Sequence, residues 1–284
     1  MPDLSGKTCV VTGATSGIGE STARALVEMG ARVVVVGRSP ERGEATLARL
    51  AAAGGTGRAE LRLADLASLA EVRRLAGEIL ETCPELHLLV NNAGVVNLER
   101  RVTVDGFEET FAVNHLAYFA LTNLLRERLV SSAPARIVNV ASDAHRFGSL
   151  DLDDLQSEHR YRSMRTYGRS KSANILFTVE LAGRLAGTGV TANALHPGAV
   201  ASRLGAQNGW LGSVVTGVLK PFFKTPDQGA RTSVHVATAP ELAGVSGAYF
   251  ANCREKQPAA PARDPQTARR LWETSARMTE TGDG

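Results

Sequence analysis

Two side chains that can move a proton, Tyr167 and Lys171, stand four residues apart in one segment of the chain. In a helix this spacing places both side chains on one face, about 6 Å apart along the axis. Because an ammonium group favours a nearby phenolate, we expect Lys171 to lower the pKa of Tyr167 from its usual value of about 10. The pair is suited to proton transfer at an oxygen atom. By itself the spacing is a weak signal, since a boundary tyrosine and a solvated lysine are common on amphipathic helices.

A glycine-rich segment, residues 12–19 with the sequence Thr-Gly-Ala-Thr-Ser-Gly-Ile-Gly, gives this pair a context. An apolar run at residues 8–11 predicts a buried strand before the glycines, and apolar residues at helical spacing predict a helix after them. In such a unit, glycines let the backbone approach a pyrophosphate, and the helix start offers unpaired N–H groups. The segment therefore predicts a dinucleotide site. The residues expected to contact the cofactor there are Gly13, Thr15, Ser16, Gly17, Ile18 and Gly19.

The end of the second predicted strand, residues 32–36, indicates which dinucleotide binds. In a NAD site an acidic residue near this point binds the ribose 2′-hydroxyl. This chain has Gly37 and Arg38 instead. A guanidinium group binds a 2′-phosphate, so the sequence predicts NADP(H) as the cofactor. The alternative is a surface arginine at the start of the next helix, and Arg42 is either a second phosphate ligand or solvated.

Strands and helices alternate along the chain, and this alternation must bring the two motifs together. We predict strands near residues 7–12, 32–37, 59–64, 87–91, 136–141, 190–195 and 247–250. We predict helices near residues 17–30, 40–53, 68–82, 105–130, 165–186, 227–238 and 265–278. The pattern favours an α/β fold whose parallel sheet is covered by helices on both faces. A chain of 284 residues, 43% of them hydrophobic, is large enough for one such domain.

Further motifs stand between and after these two. They are Asp65-Leu66, Asn91-Asn92-Ala93-Gly94, Asn114, Ser142 and His196-Pro197-Gly198. With the glycine segment and the Tyr167–Lys171 pair, their order and separations resemble the short-chain dehydrogenase/reductase family over nearly the whole chain. The stretches at residues 136–145, 171–177 and 224–230 are most similar to the retinol dehydrogenase branch. That branch oxidises or reduces bulky apolar alcohols and carbonyls.

The resemblance implies a doubly wound Rossmann fold with a single parallel sheet of about seven strands. One domain would span residues 1–284. Its cofactor half would take residues 1–135, its catalytic and substrate half residues 136–253, and a C-terminal helix and tail residues 254–284.

The resemblance also implies the catalytic roles. Tyr167 would give a proton to a carbonyl oxygen, and Ser142 would donate a second hydrogen bond to that oxygen. Lys171 would hold the nicotinamide ribose and tune Tyr167. Asn114 would position a water molecule that links Lys171 to solvent. The alternative for Asn114 is a local irregularity of its helix.

Other matched residues would bind the cofactor. Asp65 would lie against the adenine, and Val200 and Ser202 would bind the nicotinamide carboxamide. For Asn91 we favour a structural role, in which its side chain joins neighbouring strands through hydrogen bonds. The expected cofactor contacts outside the glycine segment are Arg38, Asp65, Leu66, Asn92, Tyr167, Lys171, Val200 and Ser202.

Two histidines suggest a different chemistry, since His145 and His196 could be an acid–base pair. We favour structural roles for both, because His196 lies in a His-Pro-Gly sequence that shapes a turn. No group of His, Cys, Asp and Glu has metal-ligand spacing, so we expect no metal.

Charge and cysteine content narrow the functional class. The net charge is only +3 and the basic residues are scattered, so nucleic-acid binding is not indicated. Three cysteines, an odd number, fit a reducing cytoplasm. No apolar run approaches the length of a membrane span, and we expect a soluble form without the N-terminal anchor that animal retinol dehydrogenases often carry. Homo-oligomer formation is left open.

Two variable stretches are expected to select the substrate. The first comprises the 24 residues between Ser142 and Tyr167, which include an acidic segment at residues 151–154 and would border the catalytic cleft. The second, residues 203–224, is rich in apolar side chains and includes Trp210, an expected substrate contact. We expect it to fold over an apolar ligand. The alternatives are a membrane-surface helix and a subunit contact.

These features together lead us to expect an NADPH-dependent carbonyl reductase, a ketoreductase, for a bulky apolar aldehyde or ketone. A retinal-like polyene and a polycyclic aromatic ketone of secondary metabolism are both compatible. The alternative within enzymes is an NADP-linked alcohol dehydrogenase that works oxidatively. From another class, a non-catalytic NADPH-sensing regulator is possible, but the complete set of Asn114, Ser142, Tyr167 and Lys171 argues against it.

Overall fold

The computed structural model describes residues 2–198 and 224–281. Eight strands of this part of the chain form one sheet, in the order β3-β2-β1-β4-β5-β6-β7-β8. They are Thr8–Thr12 (β1), Arg32–Gly37 (β2), Arg58–Leu63 (β3), Leu88–Asn91 (β4), Ala135–Val140 (β5), Val190–His196 (β6), Tyr249–Ala251 (β7) and Arg254–Lys256 (β8). Strands β1 to β7 pair in parallel, and β8 pairs antiparallel with β7.

Helices connect the strands. They are Gly17–Glu28 (α1), Pro40–Ala52 (α2), Leu69–Thr82 (α3), Ser163–Arg184 (α5), Pro226–Thr238 (α6) and Pro265–Thr279 (α7). Helix α4 is composite: a turn at Glu109–Phe111, a π-helical turn at Ala112–Leu116 and an α-helix at Ala117–Ser131. Short 3₁₀ turns lie at Asp143–Phe147, Pro240–Leu242 and Ala260–Arg263. No helix in the described ranges is long and apolar enough to cross a membrane.

The sheet is buried on both faces, and β2 shows why its sequence is continuously apolar. Val34 and Val36 join one hydrophobic cluster, which includes residues of α3 and α4. Val33 and Val35 join a second cluster, which includes residues of α1 and α6. Because successive side chains of a strand point to opposite faces, both sets must be apolar. The predicted α/β class and the doubly wound Rossmann fold are confirmed.

The strand order places a crevice between β1 and β4. The chain moves from β1 outward to β2 and β3, and then returns to β4 on the other side of β1. At such a switch point the connections leave in opposite directions, so a ligand site opens at the carboxyl ends of the two strands. Thr12 ends β1 and Asn91 ends β4 at this position.

The structure adds one strand and moves one helix start. Strand β8 follows a tight turn in which Asn252 and Cys253 both have positive φ, 52° and 56°. Helix α4 begins at Glu109, not near residue 105, because the buried carboxylate of Glu108 accepts the N–H groups of Thr110 and Phe111.

Candidate active site

The glycine segment makes its turn through backbone geometry that side chains disfavour. Gly13 and Gly17 have φ of +64° and +57°. A Cβ atom on Gly13 would lie 2.8 Å from the Cα atom of Ala93, and one on Gly19 would clash with the amide of Asn92. The turn after β1 therefore packs directly on the end of β4, and glycine is required at these positions.

Thr12 and Asn92 fix this turn from behind. The hydroxyl oxygen of Thr12 accepts the backbone N–H groups of Asn92 at 2.9 Å and Ala93 at 3.1 Å. The side-chain amide of Asn92 donates to the carbonyl oxygens of Thr12 at 2.8 Å and Gly13 at 3.3 Å. The expected cofactor residue Asn92 thus has its amide hydrogens directed at the protein backbone.

The start of α1 offers a binding site for an anion. Ser16 is the N-cap residue, and its side chain makes no capping hydrogen bond to the first turn. The first N–H groups of a helix have no partner within the helix, and its dipole favours negative charge there. Thr15 is buried and packs so closely on Gly37 that a side chain at Gly37 would clash with it. The turn from residue 13 to residue 19 fits a pyrophosphate.

Arg38 lies at the carboxyl end of β2, next to this turn, and is exposed. Within the described residues, no side chain forms an ion pair or hydrogen bond with its guanidinium group. Leu66 is buried beyond the end of β3, and the exposed Asp65 accepts the backbone N–H of Ala67 at 3.0 Å. Arg38, Asp65 and Leu66 therefore follow neighbouring strands along the same edge of the sheet.

Tyr167 and Lys171 lie on one face of α5 and are buried, with 8% and 2% of their surface exposed. The ammonium nitrogen of Lys171 donates to the carbonyl oxygen of Val140, the last residue of β5, at 2.9 Å. It also lies 5.7 Å from the ring centre of Tyr167 and 5.6 Å from that of Tyr118. The side chain of Lys171 thus joins α5 to the carboxyl end of the sheet.

Burial moves the pKa values of this pair toward their neutral forms. It lowers the pKa of Lys171 to about 7 and raises the pKa of Tyr167 to about 12, although a hydrogen bond with Ser142 acts against the rise. The expected lowering of the Tyr167 pKa is therefore wrong for the protein chain by itself. Burial disfavours the charged phenolate, and this effect decides the direction of the shift. Tyr167 consequently keeps its proton at neutral pH.

Ser142 follows β5 and caps the 3₁₀ turn at Asp143–Phe147. Its hydroxyl oxygen accepts the N–H of Ala144 at 3.1 Å. The Ser142 side chain also acts on the pKa of Tyr167, so the two hydroxyl groups lie near each other at the carboxyl edge of the sheet. Such a pair is able to donate two hydrogen bonds to one oxygen atom.

Asn114 lies in the π-helical turn of α4 and is fully buried. Its side-chain oxygen accepts the N–H of Val95 at 2.8 Å, and its amide donates to the Val95 carbonyl and to the Ser170 hydroxyl, both at 3.0 Å. Ser170 in turn donates to the carbonyl oxygen of Tyr167 at 2.8 Å. Asn114 therefore links the segment after β4 to the helix that carries Tyr167 and Lys171.

Comparison with known proteins identifies the family. The family model for short chain dehydrogenases matches residues 7–209. The chain belongs to the short-chain dehydrogenase family. It is 45% identical over 275 residues to retinol dehydrogenase 12 of Mus musculus, covering 97% of this chain and 87% of that relative. The chain is therefore an oxidoreductase that acts on alcohol or carbonyl groups, and it resembles the retinol dehydrogenase branch.

Solved structures agree with this membership. A crystal structure of an uncharacterised protein from Mycobacterium paratuberculosis has a TM-score of 0.79 at 34% identity, covering 99% of this chain and 96% of that chain. A short-chain dehydrogenase of Burkholderia cenocepacia in complex with NADP has a TM-score of 0.69 at 27% identity, covering 87% and 96%. The fold and these relatives support a nicotinamide cofactor.

In this short-chain dehydrogenase, the stretch between Ser142 and Tyr167 folds back on α5. The guanidinium group of Arg169 lies 3.2 Å from a carboxylate oxygen of Asp151 and 3.8 Å from one of Asp154. The hydroxyl of Tyr161 donates to the carbonyl oxygen of Asn97 at 2.9 Å. Asp151 and Asp154 are thus ion-pair partners that hold this stretch against the helix.

The two histidines singled out in the sequence have structural contacts. The Nδ1 atom of His196 accepts the N–H of Asp143 at 3.2 Å, and its Nε2 atom lies 3.6 Å from an Asp143 carboxylate oxygen. His145 contacts the backbone of Ser142. The sequence predicted no role for His115, which is fully buried beside Asn114. Its position directly after Asn114 was the available signal.

Three expected contacts lie outside the described residues. They are Val200, Ser202 and Trp210. The expected substrate lid at residues 203–224 also lies outside them, apart from Lys224. Within the described ranges, no group of three His, Cys, Asp or Glu side chains is placed to hold a metal ion.

Proposed function

We propose that this enzyme is an NADPH-dependent carbonyl reductase for bulky apolar aldehydes or ketones. One observation carries the proposal. The protonated hydroxyl of Tyr167 meets the hydroxyl of Ser142 beside Lys171, at the edge of the sheet where the glycine turn also lies. A reduction needs a proton donor and a second hydrogen-bond donor at the carbonyl oxygen, and these groups provide both.

Each catalytic side chain has a defined task in this proposal. When bound, the nicotinamide cofactor supplies the hydride that the carbonyl carbon accepts. Tyr167 donates its proton to the carbonyl oxygen, and Ser142 stabilises the negative charge that develops there. The phenolate left on Tyr167 is stabilised by the ammonium form of Lys171, whose nitrogen lies 5.7 Å from the ring centre. Asn114 keeps α5 in register through Ser170.

The cofactor would be held by backbone and side chains at the β1–β4 crevice. The N–H groups at residues 13–19 would bind the pyrophosphate, with Thr15, Ser16 and Ile18 lining the turn. Arg38 would bind the 2′-phosphate of NADPH, because its guanidinium is exposed next to that turn and no acidic residue takes its place. Asp65 and Leu66 would border the adenine, and Lys171 would hold the nicotinamide ribose.

Apolar surface near the hydroxyl pair supports an apolar substrate. Met164 lies one turn before Tyr167 in α5 and is 55% exposed, and Phe147, five residues after Ser142, is 74% exposed. A contiguous exposed apolar patch marks a ligand surface, and in this proposal Met164 and Phe147 are part of such a patch. The retinol dehydrogenase relatives are named for a bulky apolar alcohol. Trp210 and its apolar neighbours in residues 203–224 would complete this surface.

The ratio of the two cofactor forms sets the net direction of reaction, and the protonation state of Tyr167 shows which form of the acid–base group is available. A reductase starts with Tyr167 protonated, whereas an alcohol oxidation starts with the phenolate as base. Since burial raises the pKa of Tyr167 to about 12, the acid form is available at neutral pH. The names of the retinol dehydrogenase relatives favour the NADP-linked oxidation as a second candidate.

Loss of reduced-nicotinamide absorbance tests the proposal. Purified protein is mixed with NADPH or NADH and one carbonyl: all-trans-retinal, a polycyclic aromatic ketone, or acetone as the small control. We expect consumption of NADPH with a large apolar carbonyl and little with acetone or with NADH. Tight NADPH binding without turnover of any large carbonyl, or of retinol with NADP⁺, would instead indicate a cofactor sensor. Equal use of NADH and NADPH would overturn the assignment of Arg38.

A further inference from the structure

The C-terminal part of the chain packs against the two helices that carry the proposed catalytic groups. Trp272 of α7 is 2% exposed, and its ring centre lies 4.8 Å from that of Phe119 in α4 and 5.8 Å from that of Phe177 in α5. Leu271 is fully buried in a second cluster, which also holds Leu116 of α4 and Leu176 of α5. Helix α7 therefore packs directly against both α4 and α5.

A buried histidine connects α7 to the π-helical turn. The Nε2 atom of His115 lies 2.9 Å from the hydroxyl oxygen of Ser275 in α7, and its Nδ1 atom lies 3.4 Å from the side-chain oxygen of Asn174 in α5. Burial lowers the pKa of His115 to about 4, so the ring is neutral at neutral pH. His115 directly follows Asn114, so three helices meet next to that residue.

A second histidine connects the same C-terminal segment to Ser142. The Nδ1 atom of His145 donates to the carbonyl oxygen of Ser142 at 2.7 Å, and its Nε2 atom accepts the N–H of Ala259 at 3.0 Å. Only the neutral ring with its hydrogen on Nδ1 forms both bonds. The ring edge also packs on Tyr249, with the centres 5.4 Å apart.

We propose that residues 259–279 position the active site through these two bridges, with His115 and His145 as positioning residues. The inference rests on the proposed roles of Asn114 and Ser142. One bridge ends beside Asn114, and the other ends on the backbone of Ser142. Without the C-terminal segment, each histidine loses one of its two partners and each of the two sites loses a support.

The expected effect is on turnover more than on binding. A catalytic group displaced by about 1 Å costs about 100-fold in rate, and a partly relaxed group costs less. Ser275→Ala removes the hydroxyl that His115 contacts, and His145→Phe keeps a ring but removes both hydrogen bonds. We expect each variant to lower kcat about 5- to 30-fold, with the dissociation constant of NADPH changed less than about twofold.

Controls on the same helix separate positioning from stability. Trp272→Phe weakens the packing of α7 but leaves both bridges, and Thr274→Val removes a neighbouring hydroxyl that contacts Arg277. We expect Trp272→Phe to lower Tm at least as much as Ser275→Ala while kcat stays within twofold of the native value. His145→Asn, which keeps a donor near Ser142, should recover part of the kcat lost in His145→Phe.

Hydrogen–deuterium exchange provides a readout that does not depend on turnover. Peptides covering residues 112–118 in Ser275→Ala and residues 142–147 in His145→Phe should exchange faster than in the native protein. If exchange becomes faster but neither the native protein nor any variant reduces a carbonyl, the structural support by residues 259–279 is confirmed and the proposed function is refuted. If kcat of the variants follows Tm, with Trp272→Phe losing as much as Ser275→Ala, the positioning role is refuted. Native kcat and exchange in both bridge variants would refute it as well.

Discussion

The glycine turn and the Tyr167–Lys171 pair lie at the same edge of the sheet but are built in different ways. The turn depends on glycines, which have no side chain: Gly13 lies against the backbone of Ala93, and the start of α1 presents N–H groups. The helix works through large side chains that are almost fully buried, with pKa values moved to about 12 and about 7. Local backbone geometry determines the first region, whereas burial by distant segments determines the second.

The difference predicts how each region responds to change. A substitution in the turn should alter cofactor binding and folding through steric contact. A substitution at the buried pair should alter proton transfer and the pH dependence of stability, while the fold is kept. The following experiments test this separation.

The largest effect is expected for Tyr167→Phe, which removes only the hydroxyl. We expect kcat to fall about 10²- to 10⁴-fold with NADPH affinity nearly unchanged, because general acid catalysis has this magnitude. Steady-state and single-turnover kinetics measure it. Tyr161→Phe, which removes a hydroxyl bonded to Asn97, is the matched control and should keep native kcat. Near-native turnover of Tyr167→Phe when chemistry is rate-limiting would show that another group is the acid.

The next effect is a pH dependence of stability in the cofactor-free protein. The pKa of Lys171 is lowered from 10.5 to about 7 on folding, so between these values the unfolded chain binds more protons. The free energy of unfolding therefore rises with pH from about 7, by at most about 1.4 kcal/mol per pH unit. Above about pH 10 the raised pKa of Tyr167 acts in the opposite direction, because the unfolded tyrosine loses its proton first.

Lys171→Met should remove the rise between pH 7 and pH 10. Urea denaturation of both proteins across this interval measures the two slopes. Parallel slopes would mean that Lys171 is not the buried titrating group and would weaken the contrast between the two regions.

In the turn region, Arg38→Asp should lower NADPH affinity by about 1.5–3 kcal/mol, roughly 10- to 150-fold, because a charge-assisted contact is replaced by repulsion. Preference should shift toward NADH while kcat with saturating cofactor changes little. Isothermal titration with both dinucleotides measures this. Arg58→Asp, at an exposed position where β3 begins, is the control. Loss of affinity for both cofactors alike would argue for a general charge effect.

The smallest expected change is for Gly13→Ala. A left-handed conformation costs a residue with a Cβ atom roughly 1–2 kcal/mol, and the close contact with Ala93 adds to it. Urea denaturation should show the loss, and NADPH affinity should fall as well. Gly77→Ala in α3 has open space around the new methyl group and should instead gain up to about 1 kcal/mol. Similar behaviour of the two variants would remove the steric argument.

Most of the fold was predictable because its strongest signals are local. The run at β2 is apolar throughout, and its predicted bounds match Arg32–Gly37. Strand β8 was not predicted, because its three residues are polar and exposed and its turn, at Asn252 and Cys253, contains no glycine. The start of α4 was placed near Asp105, but the Asp105 carboxylate accepts the N–H of Leu69 at the start of α3 instead. A capping residue does not reveal which helix it caps.

The placement of the candidate residues at one edge of the sheet was predictable, but their electrostatics were not. The order of motifs indicated that Ser142, Tyr167 and Lys171 would meet, since the i,i+4 spacing and the strand end are sequence features. The direction of the Tyr167 pKa shift was not predictable from the sequence, because it depends on burial. Nor was the bridge from His115 to Ser275, 160 residues away. The single-domain boundaries, the catalytic roles, the cytoplasmic location and the oligomeric state stay predictions.

The π-helical turn at Ala112–Leu116 has a consequence for the length of this polypeptide. Such a turn contains one residue more than an α-helical turn would need. Deleting any one of the five would let the helix become regular, and the side chains within the turn would change direction while the helix on either side kept its rotation. Asn114 would then leave Val95 and Ser170. Engineered or natural length variation should therefore be tolerated in surface loops, but a single codon lost in this stretch should inactivate the enzyme even when every remaining side chain is unchanged.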